Sequence, residues 1–423
     1  MRRRLGFKCN ACSKSALPRP KLARILLVAP PAISIFLIFL RLGLTSFGGP
    51  IAHLGYFRAE FVERRQWLSD ADYTELVALA QFVPGPASSQ TGFAVGLRKG
   101  GLLGGFAAWL GFTLPSALSM FAAAKGLTLT ESGAGQGIVH GLKLLAVGVV
   151  AQAVWSMGRG FCPDRIRAAF AIIVAAALIA IPGSAAQLAA IGLGAAFGLF
   201  WLGNGAVAAV PALKTSAAPG WEGIAALLLF LALLFGLPFF ASFTHFGIVE
   251  LASAFYRAGA LVFGGGHVVL PLLQESVVAP GWVSRDDFLA GYGAAQALPG
   301  PIFAISAFLG AKANIASDPV SGAIVALLAI FLPGMLLMYG IIPYWSRLRT
   351  LPKARAALNG VNCAVVGVLG AALYQPVWTS TIAKPLDASI ALLAFMALSL
   401  ARLPVLLVVV LCAAIGIVMA PAA

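Results

Sequence analysis

Apolar residues run along this chain in long blocks, separated by short breaks of charge, proline and glycine. The blocks fall at 25–47, 74–95, 102–124, 138–157, 167–181, 185–202, 223–240, 247–272, 288–309, 320–342, 357–376, 386–400 and 402–420. A helix that crosses a bilayer needs about 20 mostly apolar residues. The pattern therefore predicts an all-α polytopic membrane protein with about thirteen membrane segments. Two pairs, 167–181 with 185–202 and 386–400 with 402–420, are joined by little more than a turn and predict tight helical hairpins. The basic stretch from Arg2 to Arg24 precedes the first block, no small-residue cleavage site follows it, and Arg41 sits inside it. That combination predicts a retained first span behind a cytoplasmic, disordered tail rather than a removed signal.

Composition narrows the class. The chain is 60% apolar and only 10% charged, with a mean hydropathy of +0.94. A water-soluble globule cannot hide that much apolar surface. Soluble, disordered and nucleic-acid-binding classes are excluded, although the formal net charge is +15. In a membrane protein the basic excess belongs to the loops of one side. With the N-terminus inside and every block crossing, inner loops carry Arg98, Lys99, Arg159, Arg165, Arg167, Lys214, Arg285, Arg347, Arg349, Lys353, Arg355 and Arg402. Outer loops carry Arg58, Arg64, Arg65, Lys125, Lys312 and Lys384. The exception is the first outer loop with its three arginines, which reads as a folded cap because Glu60, Glu63, Asp70 and Asp72 accompany them.

The chain also repeats itself. Arg41, Gly43 and Phe47-Gly48-Gly49 match Arg257, Gly259 and Phe263-Gly264-Gly265. Glu60 matches Glu275, Trp67-Leu68-Ser69 matches Trp282-Val283-Ser284, and Asp72 matches Asp287, the two aspartates reading as N-caps. Gln81 and Pro84-Gly85-Pro86 match Gln296 and Pro299-Gly300-Pro301; Gly141 and Gly148 match Gly360 and Gly367. The division is a tail at 1–24, a first repeat at 25–202, a linker with one extra span at 203–245, and a second repeat at 246–423. An odd offset in spans predicts inverted repeats, a hallmark of secondary transporters.

Broken backbone in hydrocarbon is tolerated only where protein or a watery cavity surrounds it. The matched breaks therefore point to a central site. A helix restarting after Pro-Gly-Pro presents free N–H groups and a positive dipole end, which suits an anion. Ser88 after the first break can donate hydrogen bonds. Arg41 and Arg257 lie within apolar stretches, where charge is costly and usually functional. They read either as anion ligands or as structural partners of Glu60 and Glu275. The candidate substrate-binding set is Arg41, Arg257, Gly48, Gly49, Gly264, Gly265, Gln81, Pro84, Gly85, Pro86, Ser88, Gln296, Pro299, Gly300 and Pro301. Glu60, Glu275 and His53 are candidate proton carriers. The glycines read equally as close-packing positions. Cys9 and Cys12 have no second pair to complete a zinc site, so neither metal nor cofactor is implied. Four histidines without an H-E-x-x-H pattern argue against an enzyme.

At these residues the chain resembles the two-domain form of the chromate ion transporter family. The resemblance rests on the duplicated Arg-x-Gly-x-x-x-Phe-Gly-Gly at 41–49 and 257–265, on Trp-[Leu/Val]-Ser, and on Gln-x-x-Pro-Gly-Pro at 81–86 and 296–301. It implies a bacterial inner-membrane carrier that exports chromate and confers chromate resistance, with sulfate or another oxyanion as the alternative cargo. The implied partners are the bilayer and a small dianion, not nucleic acid, with a homodimer open. The second copy departs from the first, with Gly266 where the first has Pro50, so the halves need not contribute equally.

Overall fold

The structure is a computed structural model that describes residues 32–47, 49–126, 133–202, 220–244, 246–263, 269–348 and 351–419. The described residues are mostly helical and form no strand. The first repeat comprises α1 (Ala32–Thr45), α2 (Gly49–Arg58, continued by a π turn over Ala59–Arg64), α3 (Asp70–Phe82), α4 (Ala87–Gly126), α5 (Gly133–Phe161), α6 (Arg165–Ala180) and α7 (Ser184–Trp201). Helix α8 (Trp221–Thr244) stands between the repeats. The second comprises α9 (Gly247–Ala260), α10 (Val269–Leu273, continued over Gln274–Val278), α11 (Arg285–Ala297), α12 (Ile305–Lys312), α13 (Pro319–Ile341), α14 (Trp345–Leu348), α15 (Pro352–Ala372), α16 (Thr379–Thr381), α17 (Pro385–Ser399) and α18 (Val405–Met419). Among the described residues, five helices are long and apolar enough to cross a membrane by length and composition. Large apolar side chains such as Phe200, Phe235, Phe243, Leu393 and Val418 point outward. In a bilayer, lipid covers them.

The blocks at 74–95 and 288–309 are not straight spans. Each is cut at its Pro-Gly-Pro, because proline supplies no donor and clashes with the preceding turn. Each then folds back on itself. Arg98, late in the first part of α4, reaches Asp72 at the start of α3, 3.4 Å away. Lys312 at the end of α12 reaches Asp287 at the start of α11, also 3.4 Å away. The N-caps are Ser69 and Ser284, which accept from the backbone N–H of Asp72 and Asp287. The aspartates predicted as caps thus sit three residues further on. Helix α4 turns again at Gly100–Gly101, where Gly101 has φ 62 and ψ −159, a conformation reserved for glycine.

The first block also returns. Phe39 of α1 stacks on Phe61 beyond α2 at 4.9 Å and meets Phe57 edge-on at 5.6 Å. Helices α1 and α2 therefore form a second hairpin beside α3 and the start of α4. Both hairpin tips point into the protein, and their open ends lie at one end of the bundle. Lys99 lies over the Trp67 ring there. Arg58, Arg64 and Arg65 consequently share an end with Arg98, rather than opposing it. No cap on the far side is required.

The repeats are interleaved. Helix α5 packs on α17 and α18 of the second repeat, while its counterpart α15 packs on α6 and α7 of the first. The closest approaches correspond residue by residue. Gly141 lets α18 in at Cys412, and Gly360 lets α7 in at Gly194. Gly148 meets α17 at Ala394, and Gly367 meets α6 at Ala171 and Val174. A side chain at any of the four would overlap its neighbour. These four repeat-matched glycines serve close packing, whereas Gly49, for which the sequence offered that reading, has nothing within 4 Å of a Cβ position. Helix α8 lies on α9 and α13.

Candidate functional site

The two Pro-Gly-Pro turns meet the opposite repeats. The Gly85 N–H donates to the Val262 carbonyl at 2.7 Å, and the Gly300 N–H donates to the Ser46 carbonyl at 2.9 Å. Ser46 and Val262 occupy matching positions after α1 and α9. Each turn is thus pinned to the broken loop of the other half. Positive φ at Gly85 (128) and Gly300 (97) aims these amides, and residues with a Cβ rarely hold such angles. Gln90 braces the first turn, its amide nitrogen donating to Pro84 at 2.8 Å.

Beside these joints lies a cavity of about 850 Å3. Gly49, Gln81 and Gly85 of the first half face it together with Gln296 and Gly300 of the second. The C-terminal half of α5 and the N-terminal half of α15 form its long walls. These matched helices therefore run in opposite directions past one site, as inverted repeats must. Leu202, Trp345, Pro352 and Val405 line it where helices end or begin, so it extends to the arginine-rich end of the bundle.

The sequence-predicted residues divide accordingly. Gln81, Gln296, Gly49, Gly85 and Gly300 reach the cavity. Pro84, Pro86, Pro299 and Pro301 shape its floor without lining it. Ser88 is 2% exposed and is not on the wall. Gly48, Gly264 and Gly265 fall outside the described residues. Arg41 is exposed on α1 and is not among the residues lining this cavity. Arg257 lines a separate cavity of about 380 Å3 with Glu250 and Glu275. Glu60 pairs with Arg64 at 3.0 Å and Arg65 at 2.5 Å, which removes it as a partner for Arg41. Partial burial raises the Glu60 pKa, but the bonds from Arg65 and Arg64 prevail and hold it below the usual carboxylate range. His53 is buried against the second joint, Nε2 lying 3.2 Å from the Ser46 carbonyl that also receives Gly300.

Sequence reasoning missed the cations that do line the central cavity. These are Arg167, at the start of α6, and Arg355, at the start of α15. They stand in the first turns of α6 and α15, one per repeat, and are not repeat-equivalent, so no motif marks them. Among the described residues of the cavity, the Gln296 amide nitrogen and the Asn362 side-chain oxygen are buried without a hydrogen-bond partner, while the buried Arg167 Nε lies 3.0 Å from Asp164. A buried donor left unmade costs about 1–3 kcal/mol, so such atoms mark a wall built for water or a polar ligand. No cluster of three or more metal-binding side chains occurs among the described residues.

Two interleaved repeats, broken helices meeting at mid-bundle and an arginine-bearing cavity reaching one end define a membrane transporter of the inverted-repeat kind. The family model described as "Chromate transporter" matches the chain twice, over residues 33–199 and 249–417. The chain belongs to that family. It is 31% identical over 345 residues to the "Probable chromate transport protein" of Synechococcus elongatus, covering 79% of this chain and 82% of the relative. It is 29% identical over 357 residues to the "Chromate transport protein" of Pseudomonas aeruginosa, covering 81% of each. The "Chromate transport protein" of Cupriavidus metallidurans is 28% identical over 352 residues, 80% of this chain and 81% of that one. No solved structure matches.

Proposed function

We propose that this chain exports chromate across the bacterial inner membrane by alternating access, with sulfate as the competing dianion. The observation that carries the reading is the shared cavity, where turns from both repeats meet and Arg167 and Arg355 face the same space. Both guanidinium groups can donate to the oxygens of a tetrahedral oxyanion, Arg355 with its full charge and Arg167 while also paired with Asp164 at 3.0 Å. The Gln296 amide adds a neutral donor. Small dianions differ little in shape to such a wall, so selection between chromate and sulfate rests on fit rather than charge.

The positive-inside rule places the arginine-rich end in the cytoplasm, so the N-terminus and the cavity mouth face inward. With the hairpins folded back, Arg58, Arg64 and Arg65 join Arg98, Arg159, Arg165, Arg167, Arg355 and Arg402 on that side. A cavity open to the cytoplasm is the loading state of an exporter. Export of a dianion from a cell negative inside gains about 4.6 kcal/mol per 100 mV, so the potential alone can drive it. His53 against the Gly300–Ser46 joint is better placed than Glu60 to couple a proton.

The test is chromate uptake into everted membrane vesicles, at matched protein level, for Arg167→Gln, Arg355→Gln and Arg41→Gln. Loss of a charge-assisted hydrogen bond, worth about 1.5–3 kcal/mol, lowers apparent affinity roughly ten- to a hundredfold. Both cavity variants should show that loss and Arg41→Gln should not. Wild-type vesicles that accumulate no chromate above empty-vector vesicles would end the export reading.

A further inference from the structure

Cys162 and Cys363 belong to opposite repeats yet touch. Cys162 follows the last residue of α5, and Cys363 lies within α15. The Cys363 thiol donates to the carbonyl of Phe161, the residue before Cys162, at 3.3 Å, which sets the two cysteines side by side. Both are free cysteines. Cys162 is half-buried and Cys363 is fully buried. Their immediate neighbours Phe161 and Asn362 line the cavity, so the pair sits on its rim.

The environment divides the labour between the two sulfurs. The neighbouring Cys363 thiol, aided by Arg167 and opposed by partial burial and by Asp164, holds the Cys162 thiol below its usual pKa. A thiolate that is accessible and close to a guanidinium is the reactive member of a redox pair. A buried thiol in contact with it is the resolving member.

We propose that Cys162 and Cys363 form a reversible disulfide under peroxide, tying α5 of one repeat to α15 of the other at the cavity mouth. The Cys162 thiolate attacks one oxygen of hydrogen peroxide, breaking the O–O bond. It becomes a sulfenic acid, and the departing hydroxide takes a proton to leave as water. The Cys363 sulfur then attacks the sulfenic sulfur. The S–S bond forms as the second hydroxide leaves and takes the Cys363 proton. In sum, two thiols and one peroxide give one disulfide and two waters. Exchange with a cytosolic dithiol reverses the bond, as expected for a sensing rather than a structural disulfide on that side of the membrane. Alternating access requires the two repeats to move against one another around the site. A covalent tie between the two cavity-lining helices holds the mouth at its present width.

The experiment uses the full chain carrying Cys9→Ser and Cys12→Ser, so that the tail cysteines cannot pair. Detergent-purified protein and everted vesicles are treated with hydrogen peroxide, then with dithiothreitol. Peptide mass spectrometry without reduction should find the 162–363 linkage, thermal unfolding should move upward, and both changes should vanish on reduction and in Cys363→Ser. Chromate flux should fall about tenfold in the linked protein and return with dithiothreitol, as a locked conformational cycle demands. Folded protein that yields no linked peptide overturns the proposal. So does undiminished flux in quantitatively linked protein. Linkage and thermal shift are read without transport, so a chain that links but moves no chromate even when reduced refutes the export reading instead.

Discussion

Replacing Gly300 with alanine tests the joint between the repeats most directly. Gly300 has φ 97, where an L-residue pays about 1–3 kcal/mol. The new Cβ would lie 2.9 Å from Ser116 Oγ and 3.3 Å from the Phe112 carbonyl. Ser116 cannot swing away freely, since it is buried and its hydroxyl donates to Thr113 at 2.9 Å. Losing that bond adds about 1 kcal/mol. The sum is about 2–4 kcal/mol, within the roughly 5–15 kcal/mol that keeps a domain folded. The protein should therefore still insert. The cheapest relief is to let residue 300 retreat from Ser46, which opens the second joint and displaces the cavity wall. Chromate flux per inserted molecule should fall at least about tenfold, the equivalent of 1.4 kcal/mol. The control is Gly101→Ala. Gly101 has equally forbidding angles and nothing within 4 Å of a new Cβ, and it does not line the cavity. It should lose thermal stability while keeping its flux per molecule. Equal flux loss in the two variants, or full flux in Gly300→Ala, would show that the joint lies outside the transport path.

Other outcomes follow from the same contacts. Gly194→Ala places a Cβ 2.7 Å from Ala364 and 2.8 Å from the Gly360 carbonyl, so it should cut the yield of folded protein. Gly192→Ala, with nothing within 4 Å, should be neutral or gain about 0.5–1 kcal/mol. Glu60 has a depressed pKa, so its pairing stabilises the fold above the unfolded carboxylate range and is lost as pH falls through its lower folded value. Melting temperature against pH should thus decline more steeply on acidification for wild type than for Glu60→Gln, by no more than the ~1 kcal/mol expected of a part-exposed pair. Single cysteines at Gln66 and Gly281, in a chain freed of its native cysteines, should label from opposite sides. Gln66 should react from the cytoplasm and Gly281 from outside, the reverse of what straight spans through 74–95 and 288–309 require.

Duplication was the most legible feature of the sequence, because it preserves residue order. The matches at Gly85 with Gly300, Asp72 with Asp287 and Gly141 with Gly360 all recur as matched contacts in space. Periodicity showed where the apolar blocks break but not which way the chain turns there. A kinked span and a hairpin have the same composition around Pro-Gly-Pro. What separates them is the long-range pairing of Asp72 with Arg98 and of Asp287 with Lys312. Those aspartates were visible and read only as caps, although an acid at one end of a broken block and a base at the other is what a closed hairpin needs. The cavity cations were illegible for a related reason. Arg41 and Arg257 drew notice because charge is conspicuous inside apolar blocks. Arg167 and Arg355 look like ordinary positive-inside loop residues, and become cavity residues only because α6 and α15 start beside the central walls.

The returning hairpins also resolve the anomaly in the charge pattern. Read as straight spans, the first three blocks force Arg58, Arg64 and Arg65 outside, against the prevailing bias. Folding 25–47 and 74–95 back from mid-bundle reverses the side of that loop and leaves the loops of the first repeat after α4 unchanged. The same operation in the second repeat carries Arg285 to the opposite end, where Asp286 meets Lys143 of α5. One structural change, applied twice by the repeat, thus corrects the outlier and keeps the halves inverted. It also explains why the described breaks at 84–86 and 299–301 are Pro-Gly-Pro rather than simple kinks. A reversal at mid-membrane exposes the last carbonyls of one helix and the first amides of the next, and hydrocarbon satisfies neither. Each repeat meets part of that need with the other's backbone, Gly85 on Val262 and Gly300 on Ser46. Water or an anion in the cavity must meet the remainder. The demand that makes the turns expensive in a bilayer is therefore the one that suits the place where they meet to the proposed binding site.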